Sequence, residues 1–188
     1  MAHSTAMNQW QADLADDIVS ALSHTGIAPL DNGEVVAETS VGVQLREFPT
    51  NTGFLCLRAR RDAMSPLDGA LQTVTGLPLP ARLQRTQKDS TAPMSAHVID
   101  AIRWISPDEW LLSASMSQLV EIEDALRRRV ARGIAIVNVS GNYAGLVLEG
   151  PAARELLMKS TGYDVHPTHL PPGKVVNTTF AKAGVTLA

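Results

Sequence analysis

The chain has 188 residues, 45% of them hydrophobic, with 16 basic against 19 acidic side chains and a formal net charge of −3. That length suits one domain, or one domain plus an arm, the apolar share excludes a disordered or fibrous chain, and the slightly acidic balance gives no electrostatic case for nucleic acid. No stretch reaches the roughly 20 apolar residues of a membrane span, and the start MAHSTAMNQW lacks the basic-then-apolar order of a signal peptide, so the chain reads as cytoplasmic with no membrane association.

In chain order, Trp10, Leu14, Ile18 and Leu22 recur at four-residue spacing among Gln9, Asp13, Asp16 and Asp17, the pattern of an amphipathic helix. Gly26, Pro29, Asp31, Asn32 and Gly33 break it. Residues 1–40 are therefore expected to be a helical arm and linker whose apolar stripe meets a partner or folds back, and residues 41–188 the domain proper.

Val41 to Glu47 and Gly53 to Arg60 predict a hairpin turning at Phe48-Pro49-Thr50-Asn51-Thr52. Ser65 as N-cap, Pro66 at the first helical position and Asp68 in the first turn predict a helix that buries Leu67, Ala70, Leu71 and Val74 and stops at Gly76. Arg82 to Ser95 has neither helical nor strand period and is expected to be a surface loop. From His97 the spacing predicts a strand to Ile105, a strand Trp110 to Ala114, and a helix Ser117 to Arg132 burying Leu119, Ile122, Leu126 and Val130. Strands Ile134 to Val139 and Tyr143 to Leu148, a helix Pro151 to Lys159 and a long strand Val175 to Leu187 follow. From Trp110 onward this is β-α-β-β-α-β, expected to form one split βαβ sheet of the α+β, ferredoxin-like kind with its helices on one face.

Residues with chemical potential are few. Cys56 is the only cysteine, which excludes an intrachain disulfide and a cysteine zinc site, and within Phe54-Leu55-Cys56-Leu57 it reads as a small core residue. Asp164, His166 and His169 have a spacing compatible with metal ligands. A structural zinc usually takes four ligands, however, and the interleaved Pro167, Pro171 and Pro172 favour a loop that bonds its own backbone. Gly141-Asn142-Tyr143-Ala144-Gly145 lacks a dinucleotide spacing, and Asn142 reads as hairpin-turn chemistry. Asp108-Glu109 is expected to be a solvated pair, and the arginines at 58, 60, 61, 127, 128, 129 and 132 to be solvated faces. Trp104 and Trp110 flank the Asp108-Glu109 turn and read as core or interface anchors, so the partner-contact candidates are Trp10, Leu14, Ile18, Leu22, Trp104 and Trp110. No convergent acid, base and nucleophile are present, and no catalytic, cofactor or metal residue is assigned, which favours a binding or scaffolding module.

Gly150-Pro151-Ala152-Ala153-Arg154, Asp164-Val165-His166-Pro167, Pro172-Gly173 and Phe180-Ala181-Lys182-Ala183-Gly184-Val185 form an ordered set of short motifs. With Val43-Gln44-Leu45-Arg46, Gly76-Leu77-Pro78-Leu79-Pro80 and Trp104-Ile105-Ser106-Pro107-Asp108-Glu109-Trp110-Leu111-Leu112 upstream, the chain resembles the gamma subunit of heterotetrameric sarcosine oxidase. The resemblance implies an aminomethyltransferase-like fold related to the glycine cleavage T-protein. It also implies a non-catalytic chain in a complex with alpha, beta and delta subunits that oxidatively demethylates sarcosine to glycine, folate accepting the methylene group. FAD, FMN, NAD, tetrahydrofolate and zinc are implied on the other subunits and none on this one. A stand-alone folate-binding protein of the aminomethyltransferase kind, the gamma subunit of a related N-methyl amino acid oxidase or dehydrogenase, and, least favoured, a small metal-dependent hydrolase using Asp164, His166 and His169 are the alternatives. Family members usually continue past Ala-Gly-Val-Thr-Leu into a further strand and helix. With the chain ending at Ala188, the last strand is expected to lack a hairpin partner and to present an open edge, covered by a partner subunit if the chain is not shortened.

Overall fold

The computed structural model describes residues 37–39, 42–87, 101–130 and 132–188; the expected N-terminal arm, with Trp10, Leu14, Ile18 and Leu22, lies outside the described residues. The chain forms two units, one made of residues up to Thr50 together with Gly141–Ala153, the other of Asn51–Ser140 together with Arg154–Ala188.

The first unit holds a three-stranded antiparallel sheet in the order β1 (Ala37–Thr39), β2 (Val43–Glu47), β8 (Leu146–Glu149). Leu45 lies opposite Leu148 and Arg46 opposite Val147, while the Arg46 guanidinium donates to Gln44 Oε1 at 2.9 Å and sits 3.6 Å from Glu149. Two glycines permit close backbone approach. Phe48 N–H donates to Gly145 O at 2.8 Å, and a Cβ at Gly145 would collide with the Phe48 ring. Gly150, at φ +114°, would drive a Cβ into the Gly42 carbonyl.

The second unit is built on a five-stranded antiparallel sheet in the order β4 (Arg85–Gln87), β5 (Ala101–Ser106), β6 (Glu109–Ser115), β3 (Thr52–Ala59), β7 (Ile134–Asn138). Alternate residues from four of these strands point to one face: Leu55, Leu57 and Ala59 of β3, Ile102 of β5, Trp110, Leu112 and Ala114 of β6, and Ile136 of β7. Helix α1 (Met64–Thr75) meets them with Leu67, Ala70 and Leu71, and α2 (Met116–Arg127) with Leu119 and Leu126, forming one core. The two helices touch, and α2 lies over β3 and β6. Each fully buried leucine contributes about 1.5–3 kcal/mol by leaving water, so this cluster is the main source of stability in the unit.

Helix ends follow local chemistry with one change from expectation. Gly76 adopts φ +77° and its N–H bonds Gln72 O at 3.0 Å, ending α1 as expected. The start lies earlier: a short 3₁₀ turn Arg61–Ala63 leads into Met64, so Ser65 is inside the first turn and caps nothing. Pro66 is tolerated there because first-turn N–H groups have no helical partner to lose. Asp68 accepts Gln72 Nε2 at 2.9 Å and, through its other oxygen, Leu79 N–H at 2.8 Å, pinning the segment that leaves the helix.

Most strands were legible in the sequence, but β1 falls in the expected linker and β4 in the expected loop, and strand pairing departs from expectation. β2 and β3 are not a hairpin: Phe48 is tied to Gly145, whereas Asn51 O accepts Met116 N–H at 2.6 Å, so the intervening residues run from one sheet to another. The expected β-α-β-β-α-β sheet from Trp110 onward is divided, since β6 and β7 lie in the five-stranded sheet with β3 between them, β8 pairs with β2, and the C-terminal strand stands apart. Asn142 therefore turns no β7–β8 hairpin, and Ser140–Asn142 form a 3₁₀ turn instead. Residues Val175 to Leu187, expected as one strand, fold into the hairpin β9 (Val176–Phe180) and β10 (Ala183–Leu187), so the last strand does have a hairpin partner. Within the expected loop Arg82 to Ser95, residues 85–87 form β4 against β5.

The β9–β10 turn consists of Ala181 at φ +46° and Lys182 at φ +75°. Two consecutive residues with positive φ make a two-residue turn of the I′ kind, which matches strand twist but favours Asn-Gly. A short helix α3 (Ala153–Ser160) precedes the hairpin, and Ser160 O accepts Ala181 N–H at 2.9 Å. Asn177 Nδ2 donates to Ile105 O at 2.7 Å, anchoring the hairpin to β5. Among the described residues no helix is long and apolar enough to cross a membrane.

Candidate functional site

Among the described residues, two polar clusters and a tryptophan pair are the candidates, all in the second unit. On the sheet face away from the helices, Cys56 of β3 and Glu109 of β6 meet because the register sets Cys56 opposite Leu111 and Arg58 opposite Glu109. The Cys56 thiol donates to Glu109 Oε1 at 2.9 Å. Burial, then that carboxylate, pushes the thiol up to about 12, far from a reactive thiolate. Beside it, Arg58 Nη2 donates to Asp108 Oδ2 at 2.9 Å and Ser106 Oγ donates to Asp108 Oδ1 at 3.0 Å, holding the Asp108 carboxyl below its ordinary range. Glu109 is thus less solvated than expected, and Cys56 is half-buried beneath it. The pairing of Cys56 with Glu109 carried no sequence signal, since only the β3–β6 register creates it.

The second cluster is the loop after α3. Asp164 Oδ1 accepts His166 N–H at 2.9 Å, and Asp164 Oδ2 pairs with His169 Nδ1. The backbone N–H of His166, then His169, holds the Asp164 carboxyl below its ordinary range. His166 Nδ1 lies 3.0 Å from Thr168 Oγ1. Tyr163 O–H at 3.1 Å and Lys174 Nζ at 2.6 Å both donate to His169 O. Underneath, Val165 is fully buried and Arg154 donates to its carbonyl. Asp164 therefore spends both oxygens on the loop itself, and among the described residues no group of three or more His, Cys, Asp or Glu side chains is placed to hold a metal ion. The geometry is that of a loop bonding its own backbone.

The third candidate is the tryptophan pair. Trp104 and Trp110 are cross-strand neighbours on β5 and β6. Trp110 is a core residue, 4% exposed, whose indole N–H reaches Pro80 O at 3.4 Å. Of the two readings, core or interface anchor, Trp110 takes the core one within this chain. Trp104 stays half-buried against the same core. Unforeseen from sequence was Ser140, 5% exposed, whose hydroxyl accepts Phe54 N–H at 2.9 Å and donates to Asn138 Oδ1 at 2.7 Å. It fastens the end of β7 to β3.

The seven arginines read as solvated faces are all exposed, and among the described residues three of them pair with an acid: Arg58 with Asp108, Arg60 with Asp62 at 3.6 Å, Arg127 with Glu123 at 2.6 Å. What the fold and these clusters define is a mixed α/β chain with antiparallel sheets, whose polar clusters close on themselves. The chain belongs to the sarcosine oxidase gamma subunit family, whose family model (Sarcosine oxidase, gamma subunit family) matches residues 60–188. It is 30% identical over 162 residues to sarcosine oxidase subunit gamma of Corynebacterium sp. (strain U-96), covering 85% of this chain and 72% of that one. It is 27% identical over 189 residues to the subunit of the same name from Corynebacterium sp. (strain P-1), covering 100% of this chain and 79% of that one. Among solved structures it is similar to a chain of the heterotetrameric sarcosine oxidase from Corynebacterium sp. U-96 in complex with pyrrole 2-carboxylate, with TM-score 0.62, 30% identity and coverage of 77% of this chain and 69% of that one.

Proposed function

We propose that this chain is the gamma subunit of a heterotetrameric sarcosine oxidase, a cytoplasmic complex that oxidatively demethylates sarcosine, and that its own role is structural. The observation that carries this is the family match over residues 60–188 combined with the structural likeness to a heterotetrameric sarcosine oxidase. The inward-turned chemistry of the chain supports the structural role: the Cys56 thiol is held protonated and the Asp164–His169 pair is spent within its own loop. Alpha, beta and delta subunits are the proposed partners, with FAD, FMN, NAD, tetrahydrofolate and zinc held by them. Trp104, half-buried, and the stripe Trp10, Leu14, Ile18 and Leu22 remain the proposed partner contacts.

We also read the second unit as a ferredoxin-like split βαβ arrangement displaced upstream of its expected place. β3-α1-β5 and β6-α2-β7 interleave to give the strand order β5-β6-β3-β7, with both helices on one face. The decisive experiment is co-expression of the chain with its genomic neighbours, followed by size exclusion with a flavin absorbance trace and mass analysis. A yellow, equimolar complex is expected. A colourless chain that elutes without its neighbours overturns the proposal, and a folate titration of that chain then tests the stand-alone binding protein.

A further inference from the structure

β7 forms one edge of the five-stranded sheet, with β3 as its neighbour among the described residues. Arg60 N–H donates to Gly133 O and Val139 N–H to Phe54 O, and the register sets Ala135 opposite Arg58 and Val137 opposite Cys56. The odd-numbered residues thus turn their backbone groups toward β3, and Ile134, Ile136 and Asn138 turn theirs outward. The strand with its next residue reads Ile134-Ala135-Ile136-Val137-Asn138-Val139, with four β-branched residues, no charge and no proline. Ala135 and Val137 are exposed on the face away from the helices. An uncharged β-branched edge of this kind is a template for pairing with another strand.

One side chain interrupts it. Arg127, the last residue of α2, donates from Nη2 to Ile136 O at 2.7 Å, occupying an outward carbonyl at the middle of the edge. The same guanidinium is held by Glu123 Oε1, from Nε at 2.9 Å and from Nη2 at 2.6 Å. Glu123 sits one helical turn before Arg127, so the planar fork is aimed by its own helix. We propose that Arg127, positioned by Glu123, is a guard on the β7 edge, and that its removal lets two copies of the chain join through antiparallel pairing of Ile134–Asn138. A second copy is the occupant because the strand carries no charge, so antiparallel pairing with itself sets no like charges against each other and matches Ile134 with Asn138 and Ile136 with Ile136.

The test uses the full chain, measured by light scattering after size exclusion over a range of concentrations, with a thermal melt of each variant. Arg127→Ala is expected to raise the apparent mass toward twice that of the unmodified chain as concentration rises. Adding Val137→Lys to that variant, which places a charge on the exposed strand, is expected to return it to the unmodified elution without restoring its melting midpoint. Arg127→Lys keeps the charge but cannot hold Glu123 and Ile136 O with one planar group, and gives the same readout should alanine not fold. Unchanged mass in folded Arg127→Ala or Arg127→Lys overturns the proposal, and so does self-association that Val137→Lys leaves untouched.

Discussion

Cys56 and Glu109 are bonded across two strands, with the thiol donating to a carboxylate oxygen at 2.9 Å and with Arg58 and Asp108 paired beside them. The thiol lies well above its ordinary value of 9.0, at about 12, chiefly through burial and then through the carboxylate. A raised value favours the protonated folded state, so this contribution is intact below pH 9 and is lost as pH climbs toward 12. Glu109→Ala removes the second cause while leaving the first. Labelling by a thiol-specific disulfide reagent at pH 8 should be slow in the unmodified chain and faster in the variant; equal rates would mean that burial alone governs Cys56.

Ser140→Ala should cost about 1–3 kcal/mol in urea unfolding, because Phe54 N–H, on a residue 5% exposed, loses its acceptor without gaining water. Thr73→Ala serves as the control, since its hydroxyl bonds Gly69 O at an exposed position, and should change stability by no more than about 0.5 kcal/mol. A similar small cost at both sites would show that Ser140 is not fastening β7 to β3.

The β9–β10 turn places Ala181 and Lys182 at positive φ, where a side chain costs roughly 1–2 kcal/mol per residue. Ala181→Asn with Lys182→Gly is therefore expected to stabilise the chain by about 1 kcal/mol, offset in part by the added freedom of glycine when unfolded. A loss of stability in urea titration would contradict this turn geometry.

Asp164 is exposed and its carboxyl is held below the ordinary 3.8 by His166 N–H and then His169. A depressed value stabilises the folded loop above the ordinary carboxylate range, and the effect fades as pH falls through it. Hydrogen exchange at the His166 amide should slow less on acidification than base catalysis alone predicts, because protonation of Asp164 weakens its hold on that N–H, and Asp164→Asn should abolish the difference. In the assembled complex, His166→Ala with His169→Ala should leave activity largely intact. Loss of activity without loss of assembly would give the loop a chemical role.

Most of the helices and strands were legible from local pattern, whereas β1 and β4, three residues each, and the break between β9 and β10 were not. Gly76 had to end α1, and Leu119 and Leu126 had to face inward on a 3.6-residue period. The motif set from Gly150 to Val185 also carried the family. Which strands pair emerged with the assembled sheets, since pairing joins residues far apart in the chain and periodicity is blind to it. β3 finds β6 and β7 rather than β2, and β8 finds β2 rather than β7. The β9–β10 turn stayed hidden because Ala181-Lys182 carries none of the glycine or asparagine that usually marks such a turn. For the same reason the contacts that depend on register, Cys56 with Glu109 and Arg127 on the Ile136 carbonyl, became visible only once the sheet was assembled.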